Sequence, residues 1–109
     1  MIVASSEHIQ GKRVVKTLGL AHGAVTRSSG FRRGFIAFIK NLLGGELEEF
    51  TKILAEAREQ ALDRMNDHAR SLGANAVISV RFTSAEIAAY AAEIMVYGTA
   101  VVVEDDVGE

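Results

Sequence analysis

The sequence predicts an α+β fold: a small, mostly antiparallel sheet packed against one long helix, with a second, shorter helix beside it. Three observations lead there. From Leu47 to Leu72 apolar residues recur at helical spacing, as one face of a long amphipathic helix requires. "ANAVISVRFTS" and "EIMVYGTAVVV" follow it, both rich in the β-branched and aromatic residues that suit a pleated surface. There is no proline, so glycine, asparagine and serine must make the turns, and 10 glycines are available.

At 109 residues the chain is expected to form one domain over residues 1–103, followed by a disordered acidic tail, 104–109. Ile2 to Ala4 can form a short strand. "RVVKTLGLAHGAVT", Arg13 to Thr26, reads as a longer one, broken or bulged at Gly19 and Gly23. In "FRRGFIAFIKNLL" the side chains of Phe31, Phe35, Phe38, Ile39 and Leu42 share one helical face, and the glycine pair Gly44–Gly45 ends that helix.

The long helix from about Leu47 to Leu72 would span roughly 40 Å at about 1.5 Å per residue. Its apolar stripe is Phe50, Leu54, Ala57, Ala61, Met65 and Leu72, with Ile53 and Ala69 beside it, and Gly73 is its stop. "SAEIAAYAAE", Ser84 to Glu93, carries a conflict. Its alanines favour helix, yet it lies between two strands with too few residues for a helical crossover. It reads as two strand ends joined by a turn near Ala88 to Ala91, with a short helix as the rival.

The last strand is apolar on both faces, Ile94, Val96, Ala100 and Val102 on one and Met95, Tyr97, Val101 and Val103 on the other. A strand of that kind is covered on two sides. One long helix covers one face, so Phe31, Phe35, Phe38 and Tyr97 are expected to pack in the core or between subunits. A small sheet also has two open edges, which proteins rarely leave bare. Self-association is the expected resolution.

Composition narrows the function. Twelve basic against 14 acidic side chains leave a net charge of -2, which argues against a general nucleic-acid binder. The absence of cysteine rules out disulfides and thiolate chemistry and is compatible with the cytoplasm, the expected location. No stretch resembles a secretory signal or a bilayer-spanning segment, and membrane binding by the phenylalanine-rich helix is the lesser reading beside packing. No phosphate-binding glycine loop, H-E-x-x-H or nucleophile elbow is present, so no enzyme is expected.

The stretch Leu42 to Val80 resembles the YbjQ-like family of small bacterial proteins. Its glycine pair, Phe50, the Ala57–Arg58 step with Ala61, and "ARSLGANAV" carry the likeness. "IQGKRVVKTLGLAHGAVT" and "MVYGTAVVV" extend it over nearly the whole chain, with a departure at Ala88 to Ala92. The family is labelled "putative heavy-metal-binding". The resemblance implies a dodecin-subunit-like fold and a ring-shaped homo-oligomer, a pentamer.

A transition metal, the cofactor that label suggests, needs three or four converging ligands. Only His8, His22 and His68 could supply imidazole, and they lie far apart in sequence. His68, on the apolar stripe, reads more simply as a histidine packed at a contact with one hydrogen bond, and His8 and His22 as exposed. A ring could also gather copies of one histidine about its axis. Glu59, Asp63 and Asp67 line one side of the helix, offset by Arg58, Arg64 and Arg70, as on a solvated face. Arg58 can pack its stem at the edge of the stripe and form a structural or interface ion pair with Glu86 or Glu93. The expected function is therefore that of a non-enzymatic ring, structural or binding a small ligand or ion between subunits. Heavy-metal binding and a composite enzyme site shared by two subunits are the alternatives.

Overall fold

The computed structural model describes residues 1–28, 47–88 and 91–107. Its elements, in chain order, are β1 (Ile2–Val3), β2 (Lys12–Ser28), α1 (Leu47–Ser71), β3 (Ala76–Ala88) and β4 (Ala91–Asp105). They form a four-stranded mixed sheet in the order β1-β3-β4-β2, with β1 parallel to β3 and the remaining pairs antiparallel. The fold is α+β, with a single helix among the described residues. The expected helix over Phe31 to Leu43, with its phenylalanines, lies outside them.

The helix ends as the glycine at 73 dictates. Gly73 takes φ 91°, which costs glycine little. The Ala74 amide then bonds back to Ala69 at 3.0 Å and the Gly73 amide to Arg70 at 2.9 Å, satisfying carbonyls that the last turn leaves free. From there β3 and β4 pair as strands through the alanine-rich segment, Thr83 opposite Met95 and Ala85 opposite Glu93. Cross-strand pairing thus wins over alanine's helical preference. Ala88 pairs with Ala91, and the two residues between them lie outside the described set.

Two expectations about strands are corrected. β4 does not stop at Val103: it continues through Glu104 and Asp105, which face Arg13 and Lys12 across the sheet and form ion pairs with them. Opposite charges on directly paired positions carry the strand into what reads as a tail. Gly23, expected to break or bulge β2, pairs in register with Val96, and the irregularities lie between Val14 and Lys16 and between Thr17 and Gly19.

The role of Gly23 is close approach. A Cβ placed there would lie 2.2 Å from the Ala61 carbonyl oxygen and 2.4 Å from the Met65 nitrogen, both backbone atoms of α1. The helix presents Ala57, Ala61, Met65 and Ala69 at four-residue intervals, all buried, against Ala21, Val25, Val96 and Ala100. Small side chains on both partners let helix and sheet come this near. Ala69 is central to the stripe and Leu72, expected in it, is 38% exposed, because the chain leaves the helix there.

The other face of the sheet has its own cover. Ala76, Val101 and Val103 are buried under Ile2 and Ile9 from the start of the chain. That segment runs along β3: the Ala4 amide donates to the Val77 carbonyl at 3.0 Å, and the Ser79 amide to Ser6 at 2.9 Å. Ser79 sits at φ 55° in a bulge opposite Gly98, where a Cβ would meet Val77 Cγ1 at 2.7 Å.

Replacing Gly23 with alanine drives a methyl into helix backbone that cannot yield as a side chain would. Gly23→Ala is expected to cost stability in the upper part of the about 1–3 kcal/mol typical of overpacking, or more. Chemical denaturation read by far-ultraviolet circular dichroism measures it, and Gly11→Ala, where nothing lies within 4 Å but φ is 81°, separates backbone strain from crowding.

Candidate functional site

The structure brings two of the three histidines together. His22 lies on β2, the outer strand of the sheet, and His68 on the last turn of α1. The His22 backbone amide donates to Nδ1 of His68 at 3.1 Å. The two rings meet edge to face, with centroids 4.8 Å apart and an interplanar angle of 71°. One turn back, Arg64 donates through Nη1 to the Ala24 carbonyl at 2.6 Å. Two helix side chains thus occupy backbone groups on either side of Gly23, at a strand edge with no neighbouring strand among the described residues. Arg64 was expected to offset the helix acids. Of the three arginines only Arg70 does so in a direct ion pair, with Asp67 at 3.1 Å, among the described residues.

His22 is also the end of a row. Across the sheet it stands opposite Tyr97 on β4, which stands opposite Arg81 on β3. Tyr97 stands on the face away from the helix, because its neighbours Val96 and Gly98 are buried, while the His22 ring, at the sheet's edge, meets His68. Arg81 is tied by Nη1 to the carbonyls of Ser5 at 2.7 Å and Val80 at 2.8 Å, so it braces the β3 bulge against the start of the chain. Nothing in the sequence singles out Arg81, since its partners are backbone atoms far off in the chain.

His8 is elsewhere. It lines an open cleft of about 410 Å³ with Glu7, Lys12, Arg13 and Asp106. Lys12, at the start of β2, is ten positions from His22, roughly 33 Å at about 3.3 Å per residue. The basic groups of this cleft are committed: Lys12 pairs with Asp105 and Arg13 with Glu104. Hydrogen bonding and charge from Lys12 hold the Asp105 carboxyl below its ordinary value. A lowered carboxyl pKa stabilises the fold above the unfolded value, and that contribution disappears as pH falls through the folded one.

The interface candidates are placed less fully. Arg58 is exposed, and among the described residues no ion pair joins it to Glu93, while the side chain of Glu86 lies outside them. Tyr97 is 37% exposed on the face that the helix does not cover.

A heavy metal fits this donor set poorly. The chain has no cysteine to give the thiolates that soft metals select. No three histidine, aspartate or glutamate side chains come together for an ion among the described residues, which include all three histidines. In the one close pair, Nδ1 of His68 already accepts a backbone amide.

A family model described as "Putative heavy-metal-binding" and named YbjQ matches residues 1–104. The chain belongs to the YbjQ family. Among its relatives, a UPF0145 protein of Hahella chejuensis is 50% identical over 104 residues, covering 95% of this chain and 100% of the relative. Another, from Methanoregula boonei, is 44% identical over 108 residues, covering 99% and 90%. The fold is also similar to the crystal structure of a protein of unknown function from the DUF74 family of Pediococcus pentosaceus. That match has a TM-score of 0.63 at 10% identity and covers 95% of this chain and 98% of the other. It bears on the fold alone.

For this YbjQ member, titration calorimetry with zinc, copper and nickel is expected to show no binding in the micromolar range. A tight isotherm that vanishes in His68→Ala would overturn the poor fit.

Proposed function

We propose that this protein works as a homo-oligomer whose copies complete one another's sheets, and that it binds a small ligand or ion where they meet. The supporting observation is an incomplete cover among the described residues. α1 lies over β2 and β4 and hardly touches β3, and Ile2 and Ile9 cover the opposite face at its other end. Between them Phe82 is 46% exposed on the helix side of the sheet and Tyr97 37% on the other, with Leu20 at 61% on β2. Beyond Arg81, β3 runs to Ala88 with β4 on one side and no strand on the other among the described residues. The body measures 60 × 24 × 16 Å, with a radius of gyration of 17.6 Å against about 13 Å for a compact chain of this length. Apolar surface and a bare edge on an extended body favour association.

The ring form, the pentamer and the dodecin-subunit likeness follow from the family resemblance and are part of this proposal, as is a cytoplasmic setting. We read the protein as a binding or structural component and not an enzyme, since its sequence carries no catalytic motif. No helix among the described residues is long and apolar enough to cross a membrane. Arg58 with Glu86 or Glu93 of a neighbouring copy is the ion pair proposed for the contact.

Light scattering after size exclusion is expected to give a discrete homo-oligomer at micromolar concentration. Phe82→Asp should shift it to smaller species while leaving the circular dichroism spectrum unchanged. A stable, well-folded wild-type monomer overturns the proposal.

A further inference from the structure

We propose that Arg64 and His68 close the outer edge of β2 to strands from other molecules, so that this margin of the sheet accepts no partner. The proposal goes beyond the assembly reading and does not rest on it, since a single molecule needs such protection as much as an oligomer does. A bare strand edge is a template on which a further chain can pair. β2 is such an edge, with β4 on one side and no strand on the other among the described residues.

Two backbone groups decide whether a strand can add. In an antiparallel ladder, residues bonded to the paired strand alternate with residues whose N–H and C=O point away from it. The His22 amide meets Nδ1 of His68, so His22 and Ala24, two positions on, both turn their backbone groups outward. An added strand would need the His22 amide as donor and the Ala24 carbonyl as acceptor. Both are taken, the first by His68 at 3.1 Å and the second by Nη1 of Arg64 at 2.6 Å.

The spacing of helix and strand makes this possible. Four residues of helix rise about 6 Å and two of extended strand about 6.6 Å, so positions 64 and 68 match positions 24 and 22. Gly23 lies between them, where the α1 backbone at Ala61 and Met65 comes close enough for side chains to reach the edge. Arg64 is the stronger of the two guards, because a charged donor makes a shorter and stronger bond than a neutral one. An incoming strand would have to displace it. The opposite margin differs: β1 and the Arg81 bond to Ser5 guard β3 only as far as position 81.

The test is sedimentation velocity of the full chain at one fixed pH and salt concentration, wild type against the double variant Arg64→Ala, His68→Ala. The wild-type species is the baseline, so a monomeric wild type overturns the assembly reading and leaves this test standing. The double variant is expected to keep the wild-type circular dichroism spectrum and to form species of about twice the wild-type mass or more, with an intermolecular β-sheet band in the infrared. Arg70→Ala removes a charge from the same helix without touching the β2 edge, and it should sediment as the wild type does. A folded double variant of wild-type mass, larger species without the infrared band, or equal association of Arg70→Ala overturns the proposal. Should the double variant fail to fold, hydrogen exchange of the wild-type His22 amide decides: it must be slowed about tenfold or more relative to a free amide, and any smaller slowing overturns it.

Discussion

A missing methyl group at position 23 sets the distance between helix and sheet. The backbone of α1 at Ala61 and Met65 occupies the space where any other residue's Cβ would project. Everything at the edge of β2 follows from that spacing. Arg64 and His68 are within reach of the Ala24 carbonyl and the His22 amide because the helix lies almost on the strand. A longer side chain at Ala57, Ala61 or Ala69 would lift it and separate both bonds together. The alanine stripe is therefore less a weak core than a deliberate thinness, trading buried volume for backbone proximity.

The same economy leaves the sheet short of cover among the described residues. An alanine-faced helix is narrow, and it lies on β2 and β4 with little reach toward β3. The second cover, from Ile2 and Ile9, is anchored where β3 begins and ends at the Ser79 bulge, where Arg81 is tied to Ser5. Past that point Phe82 and the strand edge have neither. The proposed self-association and the observed helix–strand contact are thus linked through one choice of residue size.

Much of this is legible in the sequence, and what is not has a common cause. The long helix and the last two strands declare themselves because periodicity is a local property of the chain. The alanine-rich segment reads correctly as strand once the shortness of the connection is weighed against propensity. The short strand expected at Ile2 to Ala4 is there as β1, but its part in covering the sheet is not legible, because its partner is far along the chain. The approach of His22 to His68, the reach of Arg64 and the bracing by Arg81 all depend on backbone atoms brought near by folding. Gly23 left a trace that could have been read: a glycine between Ala21 and Val25, facing a helix that offers alanine every fourth residue or so.

The pairing of Ile2 with Ala76 has a consequence for the order in which the molecule assembles. A strand of two residues cannot persist by itself, and its template does not exist until β3 has formed against β4. Its docking is a contact of long sequence separation, the kind whose loop entropy is met late on the way to the native state. The isoleucines at the chain's start should then be the last pieces to seat and the first to lift, so that the interior of the outer face breathes from that corner.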